Sequence, residues 1–271
     1  MACAVRVRIT FNVKNRGGLV PFHHQFLISE IFREILVENG DESFRNYTFY
    51  SFSGLKGQTR LSRNGLRYNS KKVTIVVSSV SEPFIRHLVS LILKENELRI
   101  ADLYLEPELA EEEVSVSLDG ESKFLCISPI VLLSPDSDSA KDFISPFSDD
   151  FSDYLFENTI NRMSSFGIDV DSIPDVQKFQ LLPDKDYLSK LKASNKKFAR
   201  IYPVYYQGQK QEVRGYTFPF TLFAAPEVQA FVYTCGIGAM CCKGFGMLDV
   251  TNSNPVERTV PFLSKSELVS A

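Results

Sequence analysis

The sequence has no long apolar run, no Cys-x-x-Cys pair and few histidines. None of its apolar segments reaches the roughly 18 to 20 residues that a membrane-spanning helix needs, so we expect no membrane partner. Its first residues do not combine a charged leader with a long apolar block, which argues against a secretory signal. The five cysteines lie mostly in apolar sequence, as is typical of a reducing compartment, and we expect a cytoplasmic protein.

Acidic residues are absent from three stretches of a chain that is slightly acidic overall. The 271 residues include 33 Asp and Glu against 30 Lys and Arg, giving a net charge of −3. Residues 1–29, 43–81 and 187–211 contain basic residues but no acid, whereas residues 95–121 contain ten acids and one arginine. Such a separation is typical of a protein that binds a polyanion on one face, although any single run can also be a solvated loop.

Apolar periodicity predicts the order strand, helix, strand, strand, helix, strand in the first half of the chain. The expected strands are residues 4–13, 47–53, 72–78 and 98–105, and the expected helices lie between Pro21 and Asn39 and over residues 83–94. Residues 56–70 resemble a basic hairpin arm with its turn at Asn64-Gly65. This order is that of a ferredoxin-like unit, with an antiparallel sheet and two helices on one face.

The second half is expected to repeat this order with additions. Residues 106–113 form the expected acidic linker, and the pattern then predicts strands at 113–118, 123–128, 179–182, 198–206, 213–220 and 246–250, with helices at 146–166 and 226–233. We therefore predict an α+β fold of two tandem ferredoxin-like (βαββαβ) domains. The predicted domains are residues 1–107 and residues 112–262, the second of which carries a glycine-rich loop.

This loop reads Gly236-Ile-Gly238-Ala-Met-Cys-Cys-Lys-Gly244-Phe-Gly246 and lies between the last expected helix and strand. Four glycines in eleven residues permit positive φ angles and a close approach of the backbone to a phosphate. The alternative is a tight helix-to-strand turn that needs glycine only for its geometry. The loop is neither a dinucleotide fingerprint, which must open a helix, nor a Walker loop.

Four ordered elements carry a resemblance to a known family. They are Val20-Pro-Phe-His-His-Gln25, Phe124-Leu-Cys-Ile-Ser-Pro129, Val213-Arg-Gly-Tyr216 and the end of the glycine-rich loop, Gly244-Phe-Gly246-Met. With these elements the chain resembles the CRISPR-associated endoribonucleases of the RAMP superfamily, which cut precursor CRISPR RNA within its repeats. The resemblance implies binding of repeat RNA and cleavage without metal or cofactor, leaving a 2′,3′-cyclic phosphate.

Such cleavage needs a base, an acid and a group that stabilises the phosphorane charge. The candidate catalytic residues are His23, His24, Arg45, Tyr47 and Lys56. His24 is the hypothetical general base, and the alternative is that it fixes the strand-to-helix turn. His87, the third histidine, is expected to be structural.

The chain departs from the family after the first helix. Many members place a catalytic histidine there, but residues 38–47 contain none. The tyrosine that is common late in this helix is replaced by Phe32 or Arg33, depending on the alignment. A non-catalytic or weakly catalytic repeat-RNA-binding subunit of an effector complex therefore stays open beside the enzyme.

Cations, exposed aromatics and the glycine-rich loop are the expected RNA contacts, because cations neutralise phosphates and aromatic rings stack on unpaired bases. The candidates are Arg60, Arg63, Arg67, Lys196, Lys197, Arg200, Arg214, Gly236, Gly238, Lys243, Gly244 and Gly246. Tyr202, Tyr205 and Tyr206 are either stacking residues or ordinary strand residues. The expected partners are precursor and mature CRISPR RNA and other CRISPR effector subunits, while a homodimer stays open.

Overall fold

The chain divides into two compact units, each built around its own β-sheet. The computed structural model describes residues 5–133, 143–194, 199–206, 209–251 and 259–264. Among these residues, unit 1 comprises 5–115, 242–244 and 259–264, and unit 2 comprises the described parts of 116–241 and 245–251. The short segments at 242–244 and 259–264 thus belong to the first unit although they lie late in the chain.

Unit 1 contains nine strands and two helices in its described residues. In chain order these are β1 (Val5–Val13), β2 (Leu19–Val20), α1 (His24–Asn39), β3 (Tyr50–Phe52), β4 (Thr59–Ser62), β5 (Gly65–Tyr68), β6 (Lys72–Ser79), α2 (Glu82–Lys94), β7 (Leu98–Ile100), β8 (Leu103–Glu113) and, after unit 2, β15 (Thr259–Ser264). The main sheet has the antiparallel order β15-β8-β1-β6-β3, and β7 forms a hairpin with β8. The smaller sheet has the order β2-β5-β4.

The core of unit 1 lies between the main sheet and its two helices. Alternating residues of β1 are buried with their cross-strand partners on β6, such as Val7 opposite Val77 and Ile9 opposite Ile75. Helix α2 begins where the sequence predicts it, because the Ser81 hydroxyl accepts a hydrogen bond from the backbone N–H of Phe84 and so caps the helix. Each large apolar side chain buried in this way stabilises the unit by about 1.5–3 kcal/mol.

Unit 2 contains six strands and three helices in its described residues. They are β9 (Glu121–Cys126), α3 (Phe151–Phe166), β10 (Gln180–Pro183), α4 (Lys185–Ala193), β11 (Ala199–Tyr206), β12 (Gln209–Tyr216), β13 (Pro219–Phe223), α5 (Pro226–Cys235) and β14 (Leu248–Val250). The sheet order is β10-β13-β9-β14, and β11 and β12 form a separate hairpin. Without α4 and this hairpin, the order is again strand, helix, strand, strand, helix, strand.

The fold is therefore α+β with two tandem ferredoxin-like units, as predicted. In both units the first and third strands of the motif are neighbours at the centre of the sheet, flanked by the fourth and second strands. The described residues contain no helix that is long and apolar enough to cross a membrane.

The acidic stretch 106–113 was predicted as a linker, and this prediction is wrong. It forms most of β8, which pairs with β1 on one side and β15 on the other. Cations on or next to other strands neutralise several of its glutamates: Lys14, directly after β1, lies 2.9 Å from Glu106, and Lys72 lies 2.7 Å from Glu108. The last glutamate, Glu113, is buried between two arginines.

Other boundaries also differ from the prediction. The strand expected at 47–53 is limited to residues 50–52, and the one expected at 98–105 is the β7–β8 hairpin, which turns at residues 101–102. No strand forms at 114–118, and the strand expected at 213–220 is divided between β12 and β13. Residues 259–262, expected in the second domain, lie in the main sheet of unit 1.

Candidate nucleic-acid interface

His24 is held by hydrogen bonds at both nitrogens of its ring. The backbone N–H of Leu55 donates to Nε2 at 3.0 Å, so the ring proton resides on Nδ1, which donates to the carbonyl oxygen of Pro21 at 3.1 Å. Only 5% of the residue is exposed, and burial lowers its pKa to about 4. No ring nitrogen remains to take a proton from a substrate, so this geometry favours the alternative in which His24 fixes the strand-to-helix turn.

The five predicted catalytic residues fall at two ends of β6. Lys56 pairs with Thr74 near one end, and the His24–Leu55 hydrogen bond brings His23 to the same region. Tyr47 contacts Ser79 at the other end through its hydroxyl, at 3.1 Å. Five residues of strand separate the two places, which is about 16 Å.

Tyr47 and Arg45 have local partners in their own region. The Tyr47 ring packs against Phe84 with 4.4 Å between the ring centroids, so this side chain belongs to an aromatic cluster. Arg45 is exposed and forms an ion pair with Glu42 at 3.3 Å. The structure therefore groups His23 with Lys56, and does not bring Arg45 or Tyr47 to the histidine pair.

His87, on α2, contacts the segment after α1, which has no histidine of its own. Its Nε2 atom accepts a hydrogen bond from the backbone N–H of Asp41 at 2.9 Å, and its ring lies 5.4 Å from that of Phe44. His87 is half-buried. These contacts give it the structural role that we expected.

The hairpin β4–β5 presents Arg60, Arg63 and Arg67, all of which are exposed. Residues 63 and 64 form its turn, one position before the predicted Asn64-Gly65 turn, and Gly65 begins β5. A side chain at Gly65 would collide with the carbonyl oxygen of Val20 on the neighbouring strand β2. The glycine is thus needed for the close approach of β2, which anchors the basic hairpin to the unit.

The hairpin β11–β12 has a buried face and an exposed face. On the buried face, the ring of Tyr202 packs edge-on against Phe245 with 5.5 Å between centroids, so Tyr202 is a core residue. On the exposed face, Arg214 lies opposite Ile201, and Tyr205, which is 47% exposed, lies farther along the same face. Arg200 is also exposed. Lys196, Lys197 and the side chain of Tyr206 lie outside the described part of the chain.

The glycine-rich loop is buried and closed by its own backbone. The four glycines at 236, 238, 244 and 246 have positive φ angles and lie in buried positions. The N–H of Ile237 donates to the carbonyl oxygen of Gly246 at 2.9 Å, and the N–H of Gly246 donates to Pro129 at 2.7 Å. Side chains at Gly238 and Gly246 would collide with backbone oxygens. This geometry supports the tight-turn alternative for the glycines and leaves Lys243, which is half-buried, as the charged group of the loop.

Arg162 holds the start of this loop and was not predicted from the sequence. Its guanidinium donates hydrogen bonds of 2.7 Å to the carbonyl oxygens of Cys235 and Gly236 and one of 3.3 Å to that of Gly238. It thereby satisfies carbonyl groups that the end of α5 leaves without helical partners. A signal was available, because residue 162 lies seven positions after buried Leu155 and next to buried Met163, on the core-facing side of α3.

No group of three or more His, Cys, Asp and Glu residues is arranged to hold a metal ion within the described ranges. The described part of the chain instead carries exposed arginines on two hairpins, β4–β5 in unit 1 and β11–β12 in unit 2. The model of the family "CRISPR associated protein Cas6, C-terminal" matches residues 106–250, just over half of the chain. The chain belongs to the Cas6 family.

Solved structures share the fold of this Cas6-family chain at low sequence identity. A Cas6-related protein from Pyrococcus furiosus is 18% identical with a TM-score of 0.76, and the match covers 93% of this chain and 100% of that one. A protein described as "An RAMP protein binding different RNA substrates" is 20% identical with a TM-score of 0.75, covering 92% and 100%. One described as "CRISPR associated protein Cas6" is 16% identical with a TM-score of 0.74, covering 92% and 100%.

A search of curated protein sequences gave no match. The family match therefore identifies the chain, and the structural matches show its fold. At the level of the Cas6 family, the activity is endonucleolytic processing of precursor CRISPR RNA.

Proposed function

We propose that this protein binds CRISPR repeat RNA and cleaves the precursor within the repeat without metal. The observation that carries the RNA-binding part is the distribution of exposed charge. Arg60, Arg63 and Arg67 form no ion pair with the described residues, whereas cations elsewhere in unit 1, such as Lys14 and Lys72, are paired with glutamates. Cations that form no ion pair with an acid of the protein keep their charge available to neutralise phosphates.

The hairpin β11–β12 supplies a second contact. Arg214 and Lys210 lie on one strand opposite Ile201 and Tyr205 on the other. A surface with cations beside an exposed ring can hold phosphates while an unpaired base stacks on the ring. Arg200, which lies opposite Gly215, projects from the other face of the hairpin and is proposed as a separate phosphate contact. Lys196 and Lys197 remain proposed contacts that lie outside the described residues.

For cleavage, His23 and Lys56 are the residues that the geometry supports best. The 2′-hydroxyl attacks the adjacent phosphorus, the bond from phosphorus to the 5′-oxygen breaks, and the 2′-proton passes to a base while the 5′-oxygen gains a proton from an acid. His23 precedes α1, whose first turn carries no acid, so the positive end of the helix dipole is available to the phosphate. In this proposal His23 takes the proton from the 2′-hydroxyl as the base and then gives a proton to the 5′-oxygen as the acid. Lys56 stabilises the negative charge on the phosphorane.

The second candidate is a repeat-RNA-binding subunit that does not cleave. It is favoured by the backbone hydrogen bonds that occupy both nitrogens of His24 and by the distance between Lys56 and Tyr47 along β6. In this role the same two hairpins retain the mature CRISPR RNA, and an effector subunit or a second copy of the chain completes the assembly.

Incubation of the purified protein with repeat RNA in EDTA separates the two candidates. The enzyme is expected to give one cut with a 2′,3′-cyclic phosphate end, and a 2′-deoxy nucleotide before the cut should abolish it. His23→Ala and Lys56→Ala should slow cleavage with little change in RNA affinity, while Arg45→Ala serves as the matched control. Tight binding without product at stoichiometric protein would support the non-catalytic subunit instead.

A further inference from the structure

The two strands of the β4–β5 hairpin place two arginines directly opposite each other. In the register of this hairpin, Arg60 pairs with Arg67, and Leu61 pairs with Leu66. Directly opposed residues of an antiparallel pair project from the same face, with their Cβ atoms about 4.5–5.5 Å apart. The hairpin therefore has a face with two guanidinium groups and, on its other side, an apolar face on which Leu61 is 77% exposed.

Neither charge of this pair is compensated by an acid in the described part of the chain. The structure describes the whole stretch from residue 5 to residue 133, and neither arginine forms an ion pair with a described residue. Arg67 donates to the carbonyl oxygen of Gly17 at 3.0 Å, which orients its guanidinium without neutralising it. Like charges in directly opposed positions destabilise a strand pair. An anion that entered between the two side chains would remove this repulsion.

We infer that Arg60 and Arg67 together clamp a single phosphate group of the RNA backbone. Both guanidiniums start from one cross-strand position, and each can donate two parallel hydrogen bonds to phosphate oxygens. Arg63 lies in the turn, three residues and therefore about 10 Å of strand from Arg60, and binds a different phosphate. This inference rests on the proposed function, because it assigns a ligand to one part of the proposed RNA-binding surface.

The repulsion is tested without RNA by charge reversal. Arg60→Glu places a carboxylate opposite Arg67, so the thermal unfolding midpoint should rise by about 1–3 °C. The matched control is Arg63→Glu, which changes the net charge equally but has no arginine opposite it, and its midpoint should not rise. An unchanged or lowered midpoint for Arg60→Glu, or an equal rise for the control, would overturn the inference.

The shared phosphate is tested by a double-mutant cycle on the affinity for repeat RNA. If both arginines hold one phosphate, Arg60→Ala/Arg67→Ala should bind within about two-fold of the weaker single variant. For this double variant, the slope of log affinity against log salt should become less negative by about 0.7–0.9, the value for one phosphate contact. In the control pair Arg60→Ala/Arg63→Ala, the fold-losses should multiply and the slope should fall about twice as far.

Contrary outcomes separate this inference from the proposed function. Multiplying losses for Arg60 and Arg67, with the larger fall in slope, would overturn the clamp while leaving RNA binding intact. The absence of salt-dependent binding by the unchanged protein would overturn both. Arg67→Gln, which can still donate to Gly17, replaces Arg67→Ala if the alanine variant unfolds.

Discussion

Arg162 donates a hydrogen bond of 2.7 Å to the carbonyl oxygen of Gly236 and so joins helix α3 to the first glycine of the loop. Its second guanidinium nitrogen binds the last carbonyl of α5 at the same distance. One side chain from a helix about 70 residues earlier thus sets the path of a loop whose own residues are mostly small and apolar.

Replacement of Arg162 by alanine is expected to lower the free energy of unfolding by about 2–4 kcal/mol. Charge-assisted hydrogen bonds contribute about 1.5–3 kcal/mol, and the variant leaves carbonyl groups of a helix end unsatisfied. Urea denaturation measures the loss. Arg45→Ala, which removes an exposed ion pair, is the control and should change stability by no more than about 1 kcal/mol. Equal losses for the two variants would contradict the role of Arg162.

Glu113→Ala should be among the most destabilising substitutions in unit 1. The Glu113 side chain is 1% exposed, and its carboxylate accepts hydrogen bonds from the guanidinium groups of Arg6 at 2.7 Å and Arg8 at 2.5 Å. Its removal leaves two buried guanidiniums without their counter-charge, a loss of about 3–5 kcal/mol. The matched control is Glu106→Ala, which breaks the exposed pair with Lys14 and should reduce stability by about 0–1 kcal/mol. Chemical denaturation of both variants tests the difference.

The pH dependence of stability should report the burial of His24. Its folded pKa of about 4 lies below the ordinary value of 6.5, so the unfolded chain takes up the proton first as the pH falls. The stability that His24 contributes is therefore complete above pH 6.5 and is lost between pH 6.5 and 4, by about 3 kcal/mol in total. Unfolding free energies measured from pH 7 to 4 should fall more steeply for the unchanged protein than for His24→Asn. Parallel curves would contradict this assignment.

Gly246→Ala should be more harmful than Gly120→Ala, although both glycines have positive φ angles. At Gly120, with φ of 83°, an added Cβ meets nothing within 4 Å, so the expected loss is the conformational strain of about 1–2 kcal/mol. At Gly246, with φ of 67°, it also collides with the carbonyl oxygen of Ile237, which adds about 1–3 kcal/mol. The thermal unfolding midpoint should therefore fall further for Gly246→Ala, where the backbone is strained and the added Cβ collides, than for Gly120→Ala, where the backbone is only strained.

Opposite charges on the exposed face of β11–β12 should have opposite effects on RNA affinity. Arg214→Ala should weaken binding and reduce the slope against salt by about 0.7–0.9, because one phosphate contact is lost. Glu212 is also exposed and lies opposite Pro203 on that face, so Glu212→Ala should strengthen binding. Fluorescence anisotropy with labelled repeat RNA measures both. Weaker binding for Glu212→Ala would show that RNA does not use this face.

The sequence predicted the elements whose signals are local. Helix α2 follows a serine cap and a periodic apolar stripe, and the structure contains it within one residue of the predicted start. The acidic strand β8 could not be recognised in this way, because the cations that neutralise it are distant in sequence: Arg8 lies on β1 and Lys14 directly follows it. The pairing of β15 with β8 depends on a partner far away in the chain, which local periodicity does not reveal.

In the candidate site, too, features with local sequence signals could be predicted, and features that depend on distant residues could not. The exposed arginines of both hairpins could be predicted, because charge patterning places cations on the surface without knowledge of the fold. The role of His24 could not be decided, since it depends on Leu55, which is 31 residues away. The glycine-rich loop was recognised, but whether its glycines serve a ligand or the packing depends on backbone oxygens from residues such as Val131.

The late return of β15 to the first sheet has a consequence for folding during synthesis. When β8 leaves the ribosome, the strand that covers one of its edges is still roughly 150 residues from being made. At 5–20 residues per second, this edge stays open for of the order of 10 s. The nascent first half therefore exposes unpaired backbone groups beside β8 until Thr259–Ser264 arrives. In that interval Glu111 and Glu112, which form no ion pair with a described residue, act as a charge barrier against pairing with another chain.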